Sequence, residues 1–315
     1  VRKRAHEAFD VLNAVADGDI GENVADVAEF NLDVVLVAQQ VVHLDARQPD
    51  VARVDGQLGH VVIVYAVAVD QLGRRKGGAT VTLDIWHKDF YEFVELRTNN
   101  GDDRRKAHDI FPSISVPNLF MERLIKRENF TLFDPHEVNT VMGFALEDFY
   151  DTEEDKAFTE HYLACEKDSR LHGISVPALE MMKKIMKSAV ETGTPFIFFR
   201  DTVNEANPNK HAGMIYASNL CHEIAQNVGF TNLKKEILED DGTITTVTAP
   251  GDMVTCNLNS INLGKIDEDF LEEQIALQVR MLDNVITINQ TPVPESRLTC
   301  DKYRAIGLGT SGYHL

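Results

Sequence analysis

Residues 178–199 restrict the fold more than any other stretch. In ALEMMKKIMKSAV the apolar positions 179, 182, 185, 186, 189 and 190 recur with the period of an amphipathic helix. Pro177 sits where a helix start tolerates proline, and Gly193 ends the run. PFIFF (195–199) then reads as a buried strand. Helix followed by strand is the order that a parallel sheet or an α/β barrel requires. DTVNEANPN (201–209) reads as a polar loop at the carboxyl end of that strand, where such folds place their sites.

The alternation extends both ways. TVTLDIW (80–86) is strand-like, and FPSISVPNLFMERLIKR (111–127) reads as an extended piece. TLFDPHEV (131–138) looks like a turn entering a helix, punctuated by Asp134-Pro135. Asp102 to Lys106 is a mixed charge run suited to a solvated turn. Residues 230–253, with EDDGT, predict a surface hairpin, and TCNLNSINLG (255–264) returns to an extended pattern. LEEQIALQVRMLDNVI (271–286) predicts a second amphipathic helix, apolar at 271, 275, 279, 282, 285 and 286. The fold class expected is α/β.

Residues 1–67 stand apart. They are rich in Val, Ala and Asp and contain no Ser, Thr, Cys, Met or Trp. Runs such as VVLVAQQVV (34–42) and VVIVYAVAV (61–69) have strand-like β-branched content. Two explanations compete: a divergent replacement, or a mistranslated or chimaeric segment, and the second is preferred. The expected division is therefore 1–67 and 68–315.

A net charge of -19 argues against a general nucleic-acid binder, which needs a basic face. It leaves room for a nucleotide site, since a few arginines and backbone amides suffice for phosphates. No apolar run is long enough to span a membrane, and VRKRAHEAFD is followed by no signal-peptide core. The cysteines at 165, 221, 256 and 300 lack metal-ligand spacing, so no metal site is expected and reduced cytoplasmic thiols are the default.

MIYASNLCHEI (214–224) concentrates the chemistry. Asn219, Cys221 and Glu223 fall at i, i+2 and i+4, which in an extended segment places an amide, a thiol and a carboxylate on one face. Taken alone, a cysteine between Leu220 and His222 is more often a small buried hydrophobe than a nucleophile.

The longer context decides. GTPFIFFRDTVNEANP, SNLCHEI and TCNLNSINLG, with AVDQLGRRKGGATVTLDIWH upstream, closely resemble the catalytic large subunit of class I ribonucleotide reductase. The likeness runs from about Ala68 to the last residue. It implies part of a ten-stranded α/β barrel, incomplete at both ends, and reduction of ribonucleotides to deoxyribonucleotides. By motif match Cys221 is the thiyl-radical cysteine, Glu223 the general base on the 3′-hydroxyl, and Asn219 the residue holding the ribose hydroxyls. Cys256 matches one member of the redox pair, whose partner is expected upstream, where this sequence has no cysteine. Arg75, Gly77 and Gly78 fall in the loop that links the effector site to the substrate base. The resemblance further implies ATP and deoxynucleotide effectors and a small radical-generating, metal-containing partner subunit, with no cofactor bound directly. It also implies a thioredoxin or glutaredoxin-type reductant and a homodimer of the full-length subunit. The chain alone is expected to be inactive.

Two other readings compete. A non-catalytic nucleotide-binding regulatory module could retain the glycine-rich loop. A dehydrogenase rests only on the GxGxxG pattern of Gly307, Gly309 and Gly312, and the sequence holds no following helix or acidic residue that the pattern needs.

Overall fold

A computed structural model describes residues 78–291 and 293–314. The proposed segment 1–67, with Arg75 and Gly77, lies outside the described residues.

Strand β1 (Ala79–Asp84) pairs in parallel with β2 (Ile110–Val116), and β2 pairs in parallel with β5 (Phe196–Phe199). Parallel neighbours need crossovers, and helices supply them. α1 (Phe90–Val94) lies between β1 and β2, while α2 (Asn118–Lys126) and α5 (Ala178–Thr192) lie between β2 and β5. The excursion between those helices holds β3 (Asn129–Leu132), α3 (Pro135–Met142), α4 (Ala157–Lys167) and β4 (Ile174–Pro177), with β3 and β4 antiparallel. Asp134 caps α3 by accepting from the backbone N–H groups of His136 and Glu137, with Pro135 at its first position.

The two faces of the sheet differ in chemistry. Val81, Leu83, Ile114 and Val116 face outward into an apolar core with Trp86, Phe90, Phe120, Phe130 and Ile185. The alternate residues form ladders across the inner face: Thr82 beside Ser113 beside Phe196, and Asp84 beside Ser115 beside Phe198. Asp84 and Arg200 are both buried, and Nη2 of the arginine lies 2.6 Å from Oδ1 of the aspartate without hydrogen-bond alignment. A buried charge is tolerated only when paired in this way.

Four sequence expectations change. Residues 118–126 are helical, because NLFMERLIK presents Leu119 and Phe120 to the core while its charged residues stay outside. Helix α5 buries Ala178, Met181, Ile185 and Ser188, so most of the apolar positions read from the sequence lie beside that stripe: Leu179, Met186 and Val190 are exposed. Ser188 is inside because its hydroxyl donates to the Val94 carbonyl at 2.8 Å. Residues 200–205 form helix α6 (Arg200–Glu205), not a loop, with Asp201 and Asn204 buried. Of the face predicted for 271–286, only Leu282 and Ile286 are buried within α7 (Leu271–Ile288).

The carboxyl-terminal part holds the expected acidic hairpin, β6 (Asn232–Leu238) with β7 (Ile244–Ala249), turning at Gly242. β8 (Leu258–Asn262) pairs in parallel with β9 (Gly307–Ser311), joined through α7 and α8 (Pro294–Tyr303). The GxGxxG pattern therefore begins in a strand of a second parallel sheet. The parallel pairs with helical crossovers are an α/β arrangement that does not close into a barrel among the described residues.

Candidate active site

The segment from Ala206 to Phe230 leaves α6 and carries little regular structure. Asparagines hold it in place. Asn204, fully buried, donates to the carbonyls of Arg200 (3.0 Å) and Ile215 (2.9 Å) and accepts from the Ile215 N–H at 2.8 Å. Asn207 donates to Asn227 at 2.8 Å, and Asn227 donates to the Asn209 carbonyl at 3.0 Å. These amides join the incoming and outgoing limbs of the loop. An amide carries both donors and acceptors, so it can replace a missing backbone partner on either side.

The loop lies against the inner sheet face. Thr80 Oγ1 donates to the Leu220 carbonyl at 2.9 Å. Gly78 faces the Leu220 side chain so closely that an added Cβ would stand 3.2 Å from Cδ2. The His222 ring lies 4.8 Å from that of Phe196 and 6.2 Å from that of Phe198, centroid to centroid. Burial lowers the imidazole pKa, against an opposing pull from Glu223.

The backbone at the motif differs from the extended form expected. Residues 219–222 turn, with the His222 N–H donating to the Asn219 carbonyl at 3.2 Å, and His222 itself has φ +67°. Histidine is among the residues that enter this left-handed region more readily. Asn219 is buried and Cys221 and Glu223 are exposed. Asn219 Oδ1 accepts from the Ile224 N–H at 3.1 Å, closing the turn.

Its Nδ2 donates to Cys256 Sγ at 3.3 Å. That contact draws Cys256 to the same place as the motif. Cys256 is an exposed residue, yet partial desolvation of its thiol, then the charge of Glu223 and Cys221, push it above its ordinary value, while the Asn219 hydrogen bond works the other way. Cys221 and Cys256 are both free, not joined in a disulfide. Cys165 is buried in the core, with its thiol raised to about 11 by burial, and Cys300 lies on α8. The site thus brings together Asn219, Cys221, Glu223 and Cys256, with Gly78 behind Leu220. Sequence reasoning missed Asn204, Asn207 and Asn227. The asparagine-rich spelling of DTVNEANPN was the only signal for the first two, and Asn227 lies outside it.

Residues 61–315 match the family model described as the ribonucleotide reductase barrel domain. The chain is 51% identical over 259 residues to the ribonucleoside-diphosphate reductase subunit alpha of Treponema pallidum, covering 79% of this chain and 30% of that protein. It is 38% identical over 284 residues to the subunit of that name in Helicobacter pylori, covering 78% of this chain and 35% of the relative. The Synechocystis subunit is 40% identical over 247 residues, 78% of this chain and 30% of its own length. The chain thus spans about a third of the length of these relatives.

Proposed function

We propose that this chain, which belongs to the ribonucleotide reductase barrel-domain family, carries the part of a catalytic subunit that reduces ribonucleotides through a cysteine thiyl radical. The observation that carries the reading is the gathering of Asn219, Cys221 and Glu223 around the Cys256 thiol.

Hydroxide leaves poorly from an unactivated carbon, and a radical at the neighbouring carbon makes its loss feasible. Cys221, exposed at the turn, is the group that takes the 3′ hydrogen and later returns it. Glu223 accepts the 3′-hydroxyl proton, a role that needs a carboxylate within hydrogen-bond reach. Asn219 presents its amide at the Cys256 thiol, a position suited to orienting the ribose hydroxyls. Cys256 supplies the proton with which the 2′-hydroxyl leaves as water. Its raised pKa supports this role, because the thiol stays protonated near neutral pH. The two electrons come from Cys256 and a second thiol outside these four cysteines, and the pair finishes as a disulfide.

In this reading the loop of Arg75, Gly77 and Gly78 senses ATP and deoxynucleotide effectors. A small metal-containing subunit supplies the radical. A thioredoxin or glutaredoxin-type protein restores the dithiol, the full-length subunit pairs with itself, and the enzyme works in the cytoplasm. No helix among the described residues is long and apolar enough to cross a membrane.

The test is Cys221→Ser in the complete subunit, assayed with the radical-generating partner, a dithiol reductant and a ribonucleoside diphosphate. Deoxyribonucleotide formation is expected to vanish while Cys300→Ser retains turnover. Full turnover by Cys221→Ser would end the assignment.

A further inference from the structure

The segments bearing the candidate thiols meet at a joint closed by a phenol. The Gly229 N–H donates to the Asp252 carbonyl at 2.9 Å, linking the strand of chain after Cys221 to the one before Cys256. A second bond runs from the Gly251 N–H to Thr231 Oγ1 at 3.0 Å, where the β6–β7 hairpin begins. Tyr303, the last residue of α8, adds a side-chain brace on the side of the joint nearer Asn227. Its hydroxyl donates to Asp252 Oδ2 at 2.6 Å and accepts from Asn227 Nδ2 at 3.1 Å. Asn227, Gly229, Asp252 and Tyr303 therefore form a closed ring of contacts.

Each side of the ring is anchored. Asn227 is buried and tied to both Asn207 and Asn209, so its position is that of the whole loop. Lys302 Nζ lies 2.9 Å from each oxygen of the Asp252 carboxylate. The Cys256 segment also follows α8 through its backbone: the Met253 N–H donates to Thr299 Oγ1 at 2.8 Å, and Thr255 and Ser296 share a short hydroxyl contact. Of the other side-chain links between the segments, the Gly251 N–H to Thr231 Oγ1 is 3.0 Å, while Asn219 to Cys256 and Gln226 to the Thr255 carbonyl are longer at 3.3 and 3.4 Å.

We propose that Tyr303 is a positioning residue: its hydroxyl locks the loop bearing Cys221 to the segment bearing Cys256 and so sets the separation of the two sulfurs. The proposal rests on the reading of these cysteines as the radical and reducing thiols. The mechanism needs the sulfurs on two sides of a sugar, near enough to share one substrate and too far apart to bond. A rigid aromatic side chain with a hydroxyl at its tip holds such a spacing better than a flexible one, since it has only two side-chain torsions to lose.

The experiment uses the 315-residue chain with Cys300→Ser, in which Cys165 is shielded by burial. Bifunctional thiol reagents of graded span are reacted with Cys221 and Cys256, and the cross-linked product is measured at each span. The parent should be captured over a narrow range of spans. Tyr303→Phe keeps the ring and loses the hydroxyl; it should broaden that range and lower the best yield by about threefold, as expected for a lost hydrogen bond to a charged group that is partly exposed. Asn227→Ala should do the same, and the double variant should add little. A role limited to stability would lower the melting temperature and leave the span profile of the folded protein unchanged. An unchanged profile in folded Tyr303→Phe, or in Asn227→Ala should the first variant not fold, overturns the proposal. The readout needs no turnover, so its failure is distinct from failure of the Cys221→Ser assay.

Discussion

The side-chain amide of Asn219 donates to the sulfur of Cys256 at 3.3 Å, although 37 positions separate them in the chain. A donor at sulfur favours the thiolate, so this bond opposes the partial desolvation and the Glu223 charge that hold the proton on. Asn219→Ala should therefore slow alkylation of Cys256 several-fold at a fixed mildly alkaline pH, with rates at high pH converging on the parent. Peptide mapping after timed iodoacetamide labelling reads it. Equal rates at both pH values would refute the contact.

Asn204 is fully buried and satisfies the Ile215 backbone on both its donor and acceptor sides. Asn204→Ala leaves those groups without partners, at a cost of about 3 kcal/mol. Urea unfolding measures it. The same variant should make the 206–230 loop more sensitive to proteolysis than α5.

On α5, Ile185 is fully buried and Val190 is 83% exposed. Ile185→Ala should cost about 3 kcal/mol, whereas Val190→Ala should cost under about 0.5 kcal/mol. Comparable losses at both positions would mean that the helix is rotated from the orientation described.

Glu147 has a carboxyl pushed up to about 7, by burial first and then by the nearby Asp84 charge. A raised carboxyl pKa means that the folded state binds the proton more tightly than the unfolded chain does. The resulting stabilisation is greatest below the unfolded pKa and declines as pH rises to about 7. Across that window the loss is about 3 kcal/mol at most. Glu147→Gln should flatten this part of the stability–pH curve, and an unchanged slope would count against the burial of the carboxyl.

The parts most legible in the sequence were those where polarity and backbone chemistry agree. Asp134-Pro135 announces a helix start because capping and proline geometry are local, and β1 reads as a strand because TVTLD suits a pleat. The α5 stripe was misplaced for a physical reason. Ser188 and Ala178 are inside through a hydroxyl–carbonyl bond and a bond from the Ala178 N–H to the Glu128 carbonyl, which apolar periodicity does not register. The gathering of Asn219, Cys221 and Glu223 was anticipated from an extended backbone. The chain instead turns there, with His222 left-handed, because the Asn219 carbonyl and side-chain oxygen accept from the His222 and Ile224 N–H groups, a local bonding that alternation of polar residues does not register. The asparagine clamp was illegible because a buried amide and a loop amide are spelled alike.

The contact of Gly78 with Leu220 leaves no room for even a methyl group at its observed spacing to go unfelt. Thr80 Oγ1 holds the Leu220 carbonyl two residues further along the same strand edge. The Thr80 hydrogen bond and the packing of Gly78 on the Leu220 side chain thus make a short path from the start of β1 to the residue beside Cys221, in which the Leu220 side chain is the part that can give.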